Sequence, residues 1–240
     1  MTHPVHTQWI SLPTAGGAMD AYLALPPGGS GPGLLLMQEI FGVNAHIRGV
    51  AEQYALAGFV VLAPDVFWRQ APRIELGYSG NDMARGMQLA GALQPAEVLA
   101  DLQAAVAALR TRPELVSPSA APAKVGAIGY CMGGRLAYTA AALAGVDAAV
   151  AYYGGGIAGQ LALAEQVRCP MQFHFAGSDA HIPPEAVAAV RQAFNGKPAE
   201  VFEYPGSNHG FNCWDRASYH APSAALALGR SLGFLARQLF

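Results

Sequence analysis

The chain has 240 residues, 52% of them hydrophobic and 12% charged, with a formal net charge of −2. That composition supports a large core and excludes disorder as the default, and the near-neutral charge gives no footing to a nucleic-acid partner. The three cysteines, Cys131, Cys169 and Cys213, form neither a C-x-x-C pair nor an even framework, so a reducing compartment is expected and a disulfide scaffold or zinc ribbon is not.

Met1–Thr7 shows neither the basic nor the apolar region of a signal peptide, and no apolar run approaches the ~20 residues of a membrane span. A cytoplasmic protein without membrane attachment is expected. Gln8–Leu12 and Met19–Leu25 read as strands joined at Gly16-Gly17 as a hairpin. After a Gly/Pro loop, Gly33–Gln38 is a continuous apolar run, the mark of a strand buried on both faces, with Glu39 at its end. Asn44 can cap a helix in which Ile47, Val50 and Tyr54 share a face, ending near Gly58. Phe59–Ala63 is the next buried strand. Residues 67–78 are irregular, and helical pattern returns near Asn81. Leu99, Leu102, Val106 and Leu109 form a stripe on a helix that ends before Pro113.

Lys124–Ile128 then reads as a strand, Gly129-Tyr130-Cys131-Met132-Gly133-Gly134 as a sharp turn, and Arg135–Leu143 as a helix. Further strands are expected at Asp147–Tyr153, Met171–Ala176 and Ala199–Tyr204. Helices are expected from Pro184 to Asn195 and from Pro222 to Leu239, the last with Leu228, Leu232, Leu235 and Leu239 on one face. After the hairpin, strands and helices alternate. That order builds a mostly parallel α/β sheet with helices on both faces, in one domain spanning residues 1–240.

The turn at Cys131 has the context of a nucleophile elbow, with cysteine in place of serine. A thiol there faces a helix N-terminus, whose dipole and free N–H groups favour a thiolate. The plainer alternative is a buried structural cysteine in a glycine-rich turn. Chemistry in open α/β sheets collects at the carboxyl ends of strands, and Glu39, Cys131, Asp179 and His209 all fall at such ends. Three of them run in the order nucleophile, acid, histidine. A histidine can hold the thiolate and later protonate a leaving group, and a carboxylate fixes its tautomer. Individually, Asp179 could cap the next helix, His209 could be an ordinary loop residue, and Glu39 could be a solvated strand-end carboxylate. His181 reads as a rim residue. No spacing points to a metal.

These motifs, with Gln38-Glu39-Ile40-Phe41-Gly42, Ala63-Pro64-Asp65, Gly177-Ser178-Asp179 and His209-Gly210-Phe211, resemble the dienelactone hydrolases (carboxymethylenebutenolidases) over nearly the whole chain. The resemblance implies an α/β-hydrolase fold and hydrolysis of carboxylic esters or enol-lactones through a cysteine acyl-enzyme. It implies Cys131 as nucleophile, Asp179 as acid, His209 as base and Glu39 as a group that helps activate the thiol. It places an oxyanion hole at the backbone N–H groups of Met132 and Ile40. Of two arginines that hold the substrate carboxylate in relatives, Arg85 is the match for one. The other position, four residues after His209, holds Cys213, with Arg216 nearby but out of alignment. Cys213 reads as a packed thiol, and an arginine placed there is expected to strengthen binding of anionic lactones. A monomer acting on a small ester or lactone, with no cofactor, is expected. The alternatives are a non-catalytic small-molecule binding protein on the same fold, or an esterase or thioesterase with an unrelated substrate.

Overall fold

The computed structural model describes residues 4–117 and 122–240; the first three residues of the stretch read for a leader lie outside them. Eight strands form one sheet in the order β1-β2-β4-β3-β5-β6-β7-β8. Strands β1 (His6–Thr14) and β2 (Gly17–Leu25) make the expected hairpin, with Thr14 paired to Gly17, and β2 runs antiparallel to β4 (Val60–Pro64). The remaining pairings are parallel: β3 (Gly33–Met37), β5 (Val125–Tyr130), β6 (Ala148–Tyr152), β7 (Met171–Ala176) and β8 (Ala199–Tyr204). Every residue of β3, β4, β5, β6 and β7 is buried, whereas the edge strands β1 and β8 are largely half-exposed. Strands covered on both faces are apolar throughout, as β3 and β4 are, while β7 buries Gln172 and His174 as well.

Helices cover both faces. Leu109 of α3 (Pro95–Arg110) packs over Gly33, and Leu235 and Leu239 of α6 (Ala221–Leu239) pack over Gly126. Gly126 pairs with Leu34, whose side chain points away from the face on which Leu109 covers Gly33, so α3 and α6 lie on opposite faces. Helix α4 (Met132–Leu143) packs on β5 and β6 and beside α3, and α1 (Ala45–Leu56) packs on β2 and β4. Asn44 caps α1 as expected, its Oδ1 accepting from the Ile47 N–H at 3.2 Å.

Three expectations need correction. The helical pattern from Asn81 resolves into two helices, α2 (Gly80–Ala92) and α3, because Pro95 can start a helix but not continue one. The buried stripe of α3 runs through Val98, Leu102, Ala105, Val106 and Leu109; Leu99 sits half-exposed on the flank. On α6 the buried face passes through Ala227, Ser231 and Phe234 before Leu235 and Leu239, leaving Leu228 and Leu232 only partly covered. Ser231 is accommodated because its hydroxyl bonds Tyr152 at 2.8 Å and His174 at 3.0 Å. A 3-10 segment, Ile157–Gln166, follows the Gly154–Gly156 break, and α5 (Pro184–Ala193) precedes β8. No helix among the described residues is long and apolar enough to cross a membrane.

The strand order reverses at β3. From there the chain turns to β4 on one side and β5 on the other. A crevice therefore opens beyond the carboxyl ends of β3 and β5, the usual place for a ligand in such sheets.

Candidate active site

Cys131 stands between β5 and α4 with φ 56° and ψ −118°, a backbone state that costs an L-residue about 1–3 kcal/mol. The surroundings enforce it. The Cys131 N–H donates to the Tyr152 carbonyl at 3.0 Å, and the Cys131 carbonyl accepts from the Gly134 N–H at 3.0 Å. A Cβ on Gly133 would stand 2.3 Å from the Met37 carbonyl oxygen, and one on Gly129 would stand 2.0 Å from that of Gly133. Only glycines let the helix start this close to β3. The turn thus presents the thiol at the first turn of α4, where N–H groups have no intrahelical partner. The N–H groups of Met132 and Ile40 carry no backbone hydrogen bond among the described residues, and both residues line the cavity at Cys131.

Asp179 and His209 are brought together by backbone bonds between the loops after β7 and β8. Gly177 N–H donates to the Tyr204 carbonyl at 2.9 Å, and Ser178 N–H donates to that of Ser207 at 2.9 Å. Asp179 Oδ2 then lies 2.7 Å from His209 Nδ1, and its Oδ1 accepts from the His181 N–H at 2.8 Å. The carboxylate is therefore held at both oxygens. Burial, the largest influence on His209, pulls its pKa down. The hydrogen bonds and charges of Asp179 and Cys131 outweigh it and push the pKa up to about 10. The imidazole packs against a tilted Tyr153 ring and edge-to-face with His181, with ring centroids at 5.0 and 5.1 Å.

Glu39, just past β3, is 1% exposed. Its Oε1 accepts from Arg216 Nη1 at 3.2 Å, while Oε2 has no protein partner. Burial raises the carboxyl pKa, and the charges of Arg216 and His209 partly offset that rise. Arg216 reaches Glu39 by crossing Gly210, whose φ is +80° and where a Cβ would stand 2.4 Å from Arg216 Nη1. Beside this pair, the donor atoms of Glu39, His46 and Cys213 lie within 4.8 Å of one another, all buried. Burial lowers the His46 pKa to about 4 and raises that of Cys213 to about 12. The carboxylate of this cluster is already paired with Arg216.

The cavity at Cys131 measures about 260 Å³ and is lined by Ile40, Met132, Arg135, His181, His209 and Arg216, with Met83, Met87 and Ala90 of α2 along one wall. Arg85 is not brought there. It lies on the exposed side of α2, where its Nη1 donates to Gln88 Oε1 at 2.7 Å. Cys213 is fully buried and does not line the cavity, so an arginine at that position would enter the core instead of meeting a substrate. The arginines at the cavity are Arg216 and Arg135. The first was set aside in the sequence because it falls out of alignment. The second was missed, although a cation in the first turn of the elbow helix opposes the helix dipole and is a signal in itself. Asp65 has a structural place: its Oδ1 and Oδ2 accept from the N–H groups of Phe67 and Arg73 at 3.0 and 2.6 Å, pinning the irregular segment after β4.

The profile of the dienelactone hydrolase family matches residues 19–239. A Synechocystis protein provisionally named carboxymethylenebutenolidase is 35% identical over 236 residues, covering 94% of each chain. The carboxymethylenebutenolidase of Pseudomonas sp. strain P51 is 33% identical, covering 96% of this chain and 95% of its own. The crystal structure of a Klebsiella pneumoniae protein, provisionally named a dienelactone hydrolase, superposes with a TM-score of 0.83 at 31% identity. That match covers 97% of this chain and 98% of the other.

Proposed function

The chain belongs to the dienelactone hydrolase family and is a hydrolase of ester or lactone bonds; we propose that it works through a cysteine acyl-enzyme, with Cys131, His209 and Asp179 as its triad. The observation that carries this reading is the 2.7 Å contact between Asp179 and His209, set beside a strained cysteine at a helix N-terminus. In the proposed cycle Sγ of the Cys131 thiolate attacks the carbonyl carbon, and the developing oxyanion is met by the N–H groups of Ile40 and Met132. The tetrahedral adduct collapses to a thioester as protonated His209 gives its proton to the departing alkoxide or enolate. Water then attacks the thioester while His209 accepts one of its protons; collapse expels the Cys131 thiolate beside the imidazolium and releases the carboxylic acid, which gives its remaining proton to solvent. Asp179 holds the imidazole orientation and stabilises its charged form. Glu39 keeps Arg216 at the cavity wall, and Arg216 is the candidate contact for a substrate carboxylate, in place of Arg85.

The test is hydrolysis of aryl acetates and dienelactone by wild type and Cys131→Ala, with mass spectrometry of the wild-type protein during turnover. Loss of turnover in the folded variant and an acyl adduct on Cys131 in wild type are expected. Undiminished turnover by Cys131→Ala would overturn the assignment. Cys131→Ser is expected to be poor, because an alkoxide needs stronger activation than a thiolate.

A further inference from the structure

A second cavity of about 470 Å³ lies beside the catalytic one. The two share Ala90 and Arg135 in their walls, so they adjoin at these two residues, the neck between them. Beyond the neck the second cavity runs between α4, the α2–α3 junction and the 3-10 segment. Its walls mix Leu93, Leu99, Leu136 and Leu163 with the polar Thr139 and Gln160. This explains the half-exposed Leu99, which the regular helix stripe would have buried. The catalytic cavity alone is smaller than the ~300–1,000 Å³ of ordinary small-molecule sites, and the two together fall within that range.

Arg135 marks the neck. Its guanidinium lies over Gly156, where a Cβ would stand 3.1 Å from Nη1. It has no carboxylate partner among the described residues, whereas Arg48, Arg69, Arg73, Arg110 and Arg216 each have one. A partly buried cation at the positive end of a helix, without a counter-ion, is suited to an anion brought by a ligand.

We propose that the second cavity is the acyl-arm subsite of the hydrolase, and that Arg135 takes an anionic group carried on that arm close to the reacting carbonyl. The side follows from the chemistry of the proposed cycle, on which this inference rests. The leaving group must stay beside His209, which lines the catalytic cavity and not the second one. The acyl arm is the part free to pass the neck. The substrate class is therefore an ester or lactone whose acyl side bears a carboxylate near the carbonyl and continues as an apolar chain or ring.

The experiment compares p-nitrophenyl acetate, butanoate, octanoate and hemisuccinate in wild type, Thr139→Trp and Arg135→Gln. Thr139 lines the second cavity but not the catalytic one, so a tryptophan there fills the subsite. In wild type, kcat/KM is expected to rise from acetate to octanoate, by up to about fourfold for each methylene buried. In Thr139→Trp the octanoate-to-acetate ratio should fall toward one. In Arg135→Gln the KM for hemisuccinate should rise about tenfold relative to butanoate. An unchanged ratio in Thr139→Trp, or equal effects of Arg135→Gln on hemisuccinate and butanoate, would each overturn the proposal. If wild type hydrolyses none of these esters, the cysteine-hydrolase reading fails separately. The subsite is then judged by calorimetric titration with octanoate. Binding lost in Thr139→Trp supports it, and absent or unaltered binding overturns it.

Discussion

Replacing Arg216 with glutamine removes the ion-pair partner of a carboxylate that is 1% exposed. Glu39 then has two choices. It can stay ionised, and breaking a buried pair from one side costs about 3–5 kcal/mol. Or it can take up a proton. That costs about 1.36 kcal/mol for each pH unit above its ordinary pKa, or about 3.4 kcal/mol near pH 7 and about 1.4 kcal/mol near pH 5.5, with 4.5 as the ordinary value. The folded state follows the cheaper route, so the loss is capped at about 3 kcal/mol at neutral pH and shrinks on acidification. Wild type already holds Glu39 above its ordinary value, and the glutamine amide can still donate, so about 2 kcal/mol near pH 7 is the expected figure. The sign follows from proton binding. A carboxyl with a raised folded pKa holds its proton in the folded state over a range where the unfolded chain has lost it, so relative stability falls as pH rises through that range. The assay is urea unfolding of both proteins near pH 5.5 and 7.5, with Glu39→Gln/Arg216→Gln as control. The double variant should lose the pH dependence of the deficit. A deficit of the same size at both pH values would refute the reasoning.

The pKa of His209 should appear in the rate: kcat/KM is expected to fall as pH rises through about 10, where the leaving group loses its proton donor. Asp179→Asn should move that limb down toward the ordinary value of 6.5, and an unmoved limb would show that Asp179 does not hold the proton. In stability the same group helps fully below its ordinary pKa, and that help is lost as pH rises through the folded value. Gly133→Ala should lower Tm and activity together, by at least the ~1–3 kcal/mol typical of overpacking, because the new methyl meets two backbone oxygens at 2.3 and 2.5 Å; a stable, active variant would contradict the close approach at the elbow. Cys213→Arg should destabilise the fold without improving KM for an anionic lactone, since position 213 is fully buried; a selective gain on the anionic substrate would show that it faces the cavity after all.

What the sequence made legible is what local rules control. Continuous apolar runs marked β3 and β4 because strands covered on both faces have no polar side to alternate with, whereas β7 carries Gln172 and His174 inside the core. The glycines around Cys131 were readable because a turn that presses α4 against β3 admits no Cβ at Gly133. Asp179 and His209 were readable as candidates because strand ends converge on one edge of a parallel sheet. The helix faces were less so. On α3, Val98 and Leu99 are adjacent leucine-like residues, and only the position of α2 and the 3-10 segment decides which one meets the core. On α6, Ser231 looks polar until Tyr152 and His174 appear opposite it.

The arginines show where such reading stops and why. Glu39 and Arg216 are 177 positions apart, and their contact depends on the turn at Gly210 and the packing of the loop after β8. No periodicity spans that distance. Alignment pointed to Arg85 and to position 213, yet α2 turns Arg85 to solvent and the loop turns Cys213 into the core. The electrostatic outcome differs from one anchor merely missing. Arg216 is compensated by Glu39. Arg135 is then the one uncompensated charge among the described residues lining the catalytic cavity. A chain with a net charge of −2 thus presents a positive cavity, set by one arginine in the first turn of the elbow helix. In a partly desolvated space one such charge acts on a substrate more strongly than several on the surface. Selection among anionic and neutral esters is therefore expected to follow Arg135 more than the overall charge of the protein.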